Sequence, residues 1–178
     1  MSLRSSRDQT DAVRLFFALW PDEATRAKLA VLQQGISGRK ISTANLHLTL
    51  AFLGNQPRAS LENLAQVMHA LTPERFMLRI DHYGYFSKPR IVWAGPSSAP
   101  DALMQMQRSL WTGLLDIGVP LRPETGFRPH ITLARDAMPA EREMNEIIDW
   151  SVETVALVES VSAQGGVQYR VIARRVIA

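Results

Sequence analysis

The sequence predicts an α+β fold built from two like halves, with two antiparallel sheets around a central cleft and helices on the outside. Three observations point there. The stretch Asn45-Leu46-His47-Leu48-Thr49-Leu50-Ala51-Phe52-Leu53-Gly54 alternates Leu46, Leu48, Leu50 and Phe52 with His47, Thr49, Ala51 and Leu53. Side chains two apart on a strand share a face, so an imidazole and a hydroxyl stand side by side over an apolar floor. The pattern returns in Arg128-Pro129-His130-Ile131-Thr132-Leu133-Ala134-Arg135, 130 − 47 = 83 residues later, and self-similarity at long period marks a duplicated unit. Finally, helical stretches are interleaved with pairs of strands, which fits antiparallel pairing rather than a parallel sheet.

Each element has a local cause. Arg14 to Trp20 is an almost continuous apolar run, short enough for a buried strand. Pro21-Asp22-Glu23 opens a helix, with proline suited to the first turn and the acids to the positive end of the dipole. That helix is expected to reach Ile36, where Gly35, Ser37 and Gly38 end it. After the first motif strand, Ser60 heads a helix whose Leu61, Leu64, Ala65, Met68 and Leu71 fall on one stripe, and Thr72-Pro73 stops it. Phe76, Leu78 and Ile80 alternate with Met77, Arg79 and Asp81 as a strand, and Arg90–Ala94 follows beyond Ser87-Lys88-Pro89. Asp101 starts a third helix with Leu103, Met106, Leu110, Leu114 and Ile117 on one side, ended by Gly118 and Pro120. The second motif strand spans about Phe127 to Arg135. A fourth helix is expected from about Ala140 to Trp150, with Met144, Ile147 and Ile148 inward, and then a hairpin of 152–161 and 168–177 around Gly165-Gly166. Residues 1–13 read as a flexible polar lead-in. Residues 14–178 read as a single bilobal domain with pseudo-repeats at about 14–95 and 101–178.

Composition narrows the function classes. The chain has 178 residues and no cysteine, which excludes disulfides and thiolate metal sites. No apolar run approaches a membrane span, and the two early arginines have no apolar segment after them, so neither an anchor nor a secretory signal is read; the cytoplasm is the expected location. Net charge is +3, with 17 Arg and 3 Lys making up the 20 basic residues. Such a balance permits an anionic partner without demanding one.

The two motifs supply imidazoles and hydroxyls and no adjacent carboxylate. Phosphodiester transfer or hydrolysis is one chemistry that such a set serves. One neutral His takes a proton from an attacking hydroxyl or water, and a protonated His opposite gives one to the leaving oxygen. An unperturbed pKa of about 6.5 suits both tasks. In-line displacement requires the two to flank the phosphorus, with Thr49 and Thr132 donating to non-bridging oxygens. Neither metal nor cofactor is called for, and no Gly-rich phosphate loop is present. His69, on the polar side of its helix, and His82, beside Tyr83 and Tyr85 with no Thr following, take structural readings. Phe127 and Trp93 could stack on bases but read as core. Phe52 falls on the apolar face and reads as core as well.

These motifs resemble the paired motifs of the two-histidine (2H) phosphoesterases, and most of all the RNA 2′,3′-cyclic phosphodiesterases, also called 2′-5′ RNA ligases. The likeness covers nearly the whole chain, including the opening Arg14-Leu-Phe-Phe-Ala-Leu and the closing Gly166-Val-Gln-Tyr169. The resemblance implies a cleft between two lobes and metal-independent opening of an RNA 2′,3′-cyclic phosphate to a 2′-phosphate. By motif order it implies His47 as proton donor to the ribose 3′ oxygen and His130 as proton acceptor; spacing alone leaves that order open, as it does reverse joining through a 2′-5′ linkage. Arg135 stands where that family places a phosphate-contacting arginine, yet strict alternation puts it on the face opposite His130. Expected partners are RNA ends, tRNA fragments among them, and the chain is expected to be a monomer. Two alternatives stay open: a non-catalytic module that binds RNA ends, and a phosphodiesterase for a small cyclic nucleotide.

Overall fold

The computed structural model describes residues 11–122 and 126–177. Of the expected lead-in, residues 1–10 lie outside the described set, and Ala12 and Val13 already belong to the first strand. In chain order the elements are β1 (Ala12–Leu19), α1 (Glu23–Leu32), β2 (Arg39–Lys40), β3 (Leu48–Pro57), α2 (Leu61–Ala70), β4 (Phe76–Ile80), β5 (His82–Phe86), β6 (Ile91–Gly95), α3 (Asp101–Asp116), β7 (Ile131–Arg135), β8 (Ile148–Val152), β9 (Thr154–Ala163) and β10 (Gly166–Val176).

The main sheet has the order β10-β9-β1-β3-β7-β6-β5, with β2 added alongside β7, and β4 and β8 form a second sheet of two. Every pairing is antiparallel. The motif strands β3 and β7 meet at the centre through a single residue pair, Leu48 opposite Ile131. Two half-sheets therefore splay from one bridge. Counting outward from it, β3 matches β7, β1 matches β6, and β9 matches β5; β10 is extra.

By this count β6, just ahead of residue 101, is the counterpart of β1. Sequence offsets follow. His47 and His130 are 83 apart, but β4 and β8 start at 76 and 148, and β5 and β9 at 82 and 154, an offset of 72 for each pair. The loss of 83 − 72 = 11 is close to the length of the 10-residue α2, which has no counterpart after β7.

That missing helix is the one expected over 140–150. Its glutamate-rich composition, Glu141, Glu143 and Glu146, suits a helix, but tertiary contacts decide otherwise. The Arg142 guanidinium donates to the carbonyls of Leu32 and Gln34 beyond the end of α1. Ile148, Trp150 and Val152 are drawn into the core as alternate residues of β8, in register with Ile80, Leu78 and Phe76. Ile147, expected inward, is exposed. α1 also stops short of the expected Ile36. Gln33 turns inward instead, and its amide donates to Ile41 O at 2.7 Å and Leu133 O at 2.9 Å.

One core unites the two halves. Leu48 and Leu50 of β3, Ile131 and Leu133 of β7, Leu64 and Met68 of α2, and Leu103, Leu110 and Leu114 of α3 all belong to it. The continuous apolar run of β1 has a separate explanation. Val13, Leu15, Phe17 and Leu19 face that core, while Phe16 and Ala18, with Trp20, join Ala156 and Val158 in a smaller cluster against which Tyr169 and Val171 pack. That second cluster is a shelf for the site.

Candidate active site

The bridge pair Leu48–Ile131 fixes the geometry. Its side chains are buried, so the flanking residues stand on the other face, His47 toward Thr132 and Thr49 toward His130. The two histidines are diagonal neighbours, a relation that spans about 7–8 Å in a regular ladder and suits a tetrahedral anion between two rings. His130 and Thr49 line one hollow of about 370 Å³, together with Phe52, Phe86, Phe127 and Arg128.

The rings are held alike. His47 Nδ1–H donates to the carbonyl of Asn45 at 2.6 Å and His130 Nδ1–H to that of Arg128 at 2.8 Å, each two residues back. This assigns the ring proton to Nδ1 in both neutral rings. His47 Nε2 accepts the Thr49 hydroxyl at 2.9 Å. Aromatic walls also correspond. Phe16 on β1 lies 4.8 Å from the His47 ring and Trp93 on β6 lies 5.9 Å from that of His130. Tyr169 meets His47 edge-on at 5.1 Å, and Phe86 meets His130 edge-on at 5.1 Å.

The environments then diverge. Trp20 stacks on His47 at 5.8 Å, and the Arg26 guanidinium lies 4.6 Å from the Trp20 ring centre on that indole. Desolvation above all, helped by the charges of His130, Arg26 and Arg135 and opposed by the Asn45 carbonyl, holds the His47 pKa down at about 4.

Two sequence expectations change here, for one reason. Against β1, Ala51 pairs with Phe17 and Thr49 with Ala18, which leaves Leu50 as an extra residue in β3. Against β6, Ala134 pairs with Val92 and Thr132 with Trp93, which leaves Leu133 extra in β7. Each bulge buries two consecutive residues, Leu50-Ala51 and Leu133-Ala134, and reverses the parity beyond it. Phe52, read as core, is instead 61% exposed and lines the hollow. Arg135, placed on the wrong face by strict alternation, returns to the His130 face, close enough to depress the His47 pKa. Thr132 is half-buried opposite Trp93. His69 is exposed on α2, and His82 contacts Asp81 at 3.2 Å and the edge of Trp93 at 5.2 Å, outside the site.

Sequence reasoning missed Phe16, Trp20, Tyr169 and Phe86. The signal available was the Phe-Phe-Ala-Leu-Trp run, too apolar for a strand with only one covered face. Among the described residues there is no group of three or more His, Asp and Glu side chains placed to hold a metal ion.

Residues 19–164 match the sequence profile of the 2′-5′ RNA ligase superfamily. An Escherichia coli protein named RNA 2′,3′-cyclic phosphodiesterase is 33% identical over 135 residues, 75% of this chain and 76% of its own. One of the same name from Thermus thermophilus is 31% identical over 177 residues, 90% of this chain and 88% of its own. The crystal structure of E. coli LigT in apo form superposes with a TM-score of 0.82 at 29% identity, covering 93% of this chain and 98% of LigT. LigT complexed with 3′-AMP gives a TM-score of 0.81 at 28% identity, covering 94% and 98%.

Proposed function

The chain belongs to the 2′-5′ RNA ligase superfamily, and from that premise we propose that it hydrolyses RNA 2′,3′-cyclic phosphate ends to 2′-phosphate ends without a metal. The observation that supports this most is the His47/His130 pair: two imidazoles of like tautomer, diagonal across one bridge, with a threonine hydroxyl beside each. Water attacks phosphorus and gives its proton to His130 Nε2. The bond from phosphorus to the ribose 3′ oxygen breaks, and that oxygen takes the proton of His47 Nε2. The products are a 2′-phosphomonoester and a 3′-hydroxyl, and one proton has crossed the site. Thr49 and Thr132 anchor non-bridging oxygens, and Arg135 carries part of the phosphate charge.

His47 starts neutral, with a pKa of about 4, so its donor role depends on the substrate. A phosphate charge about 4 Å away at an effective dielectric near 20 contributes about 4 kcal/mol, or about 3 pKa units, in favour of the imidazolium. That returns His47 to the neutral range as the anion arrives. Thr49, whose hydroxyl donates to Nε2, is then free to turn that hydroxyl to the phosphate.

We take residues 14–178 as one bilobal unit acting as a monomer, since one chain carries both histidines, and as working in the cytoplasm with tRNA fragments among its substrates. No helix among the described residues is long and apolar enough to cross a membrane. The test is a short RNA ending in 2′,3′-cyclic phosphate, incubated with excess chelator and followed by product phosphate position. The expected product is the 2′-phosphate, with His130→Ala inactive. Intact substrate, or full activity of His130→Ala, overturns the proposal.

A further inference from the structure

Beyond the hollow beside His130 lies a second one of about 510 Å³, on the other side of Phe52, which lines both. Its walls carry Arg14, Arg39, Lys40 and Arg135, and Phe16 and Tyr169, the rings against His47, lie within it. We propose that this groove carries the body of a single-stranded RNA, gripping the phosphodiesters upstream of the cyclic end. This rests on the cyclic phosphodiesterase reading and names how that site tells RNA from a free cyclic nucleotide.

Three features argue for an anionic polymer. The first is an arrangement unfavourable without a ligand. β2 places Arg39 directly opposite Arg135 on β7, and like charges so placed destabilise a ladder. The only carboxylate paired with Arg39 among the described ion pairs is Asp136, at 3.7 Å between two exposed side chains, an arrangement too solvated to offset much. Second, the arrangement is rigidly built. Gly38 lets β2 lie against β7; a Cβ there would come within 2.5 Å of the Arg135 carbonyl and 2.8 Å of Ala137 Cα. Buried Gln33 ties the same segments by bonding Ile41 O and Leu133 O. The opposite wall is fixed as well, since the Asn45 amide donates to Val167 O at 2.8 Å. Third, continuity matters. A chain whose terminal phosphate lies between the histidines passes Phe52 to reach the cations, and a row of basic groups beside aromatic rings is how single strands are held without reading sequence.

A free cyclic mononucleotide has no upstream phosphodiester and gains nothing from Arg39 or Lys40. The experiment compares wild type with Arg39→Gln/Lys40→Gln, two exposed positions. Binding of a fluorescein-labelled RNA of about 12 nucleotides ending in 2′-phosphate, long enough to span the groove, is measured across salt concentrations. kcat/KM is measured on the same RNA with a cyclic end and on a nucleoside 2′,3′-cyclic monophosphate. In the variant, RNA affinity at about 0.1 M salt falls about tenfold, and the slope of log K against log salt shrinks by about 1.4, at about 0.7 per lost phosphate contact. The ratio of kcat/KM on RNA to that on the mononucleotide falls by a similar factor. Unchanged affinity and salt slope overturn the groove assignment, as does an equal loss on both substrates. Wild type that binds RNA but hydrolyses neither substrate sinks the phosphodiesterase reading, while the binding comparison still decides the groove.

Discussion

The His47 and His130 half-sites share a backbone and differ in surroundings. Both rings donate Nδ1–H to a carbonyl two residues back, both lie against an aromatic from the next strand, and both strands bulge at the same step after the histidine. Around His47, however, the walls are Phe16, Trp20 and Tyr169, and its pKa falls to about 4. His130 is flanked by Phe86 and Trp93 and lines the hollow. The matching backbone sets where each ring stands; the packing of flanking residues sets the depressed pKa of His47.

The largest effect expected comes from removing either ring. His47→Ala and His130→Ala should each lower kcat by about 10²–10⁴, and the double variant by little more than either alone, since the two act in one proton relay. Single-turnover hydrolysis of a cyclic-ended RNA measures this. Additive losses would mean that the halves work separately.

Next comes the protonation difference. Ring resonances of His47, followed by NMR titration, should show a midpoint near 4 in the free protein. With a bound nucleoside 2′-monophosphate that midpoint should rise by about 3 units. A His47 that stays neutral in the complex would exchange the roles of the two histidines. The same shift links to folding. The unfolded ring takes a proton near 6.5 and the folded ring near 4, so between those values the unfolded chain binds more protons. This share of stability is whole above pH 6.5 and is lost as pH falls toward 4. It amounts to roughly 2 kcal/mol after allowance for partial exposure. Urea midpoints of His47→Asn should lack that part of the acid dependence.

The His130 wall has a weak point with no parallel beside His47. Trp93 lies flat across Gly84, and a Cβ on Gly84 would fall 2.0 Å from Trp93 Cζ2. Gly84→Ala must push the indole off, at about 1–3 kcal/mol for an overpacked site. His130, which Trp93 and Phe86 flank, then loses its orientation. A fall in kcat beyond the fall in Tm checks it; unchanged kcat would show that Trp93 does not hold the ring.

The His-x-Thr spacing made the chemistry legible in sequence, because a hydroxyl two places from an imidazole shares its face on any strand. Most elements were legible for the same reason: Leu64 and Met68, or Leu103, Leu110 and Leu114, recur at helical spacing and are buried. Two kinds of feature were not. Bulges are set by pairing with a neighbour, so nothing within β3 or β7 announces that Leu50 and Leu133 are extra residues. The 141–147 segment has helical composition but is held by Arg142 reaching residues more than 100 positions away, a contact that propensity cannot express.

The bulges themselves can be tested directly, down to the smallest effect expected, that of Phe52. Phe52 and Arg135 occupy matching places, five residues after their histidines and one step beyond the buried pair. Matching backbone need not mean matching work. On the proposed reading the Arg135 guanidinium meets phosphate, and Arg135→Gln should weaken binding of inorganic phosphate and of a nucleoside 2′-monophosphate alike, by about 1.5–3 kcal/mol for a lost charge-assisted bond. It should also raise the His47 pKa, because one of the depressing cations is gone. A ring there meets a base. Phe52→Ala should leave inorganic phosphate binding unchanged and weaken nucleotide binding by about 1 kcal/mol, the low end for stacking. Being 61% exposed, the ring can be removed at little cost in Tm. Calorimetric titration with both ligands separates the two. Equal losses on inorganic phosphate would mean that Phe52 shapes the phosphate pocket itself; a large drop in Tm would return it to the core, and the parity reversal in β3 would be wrong.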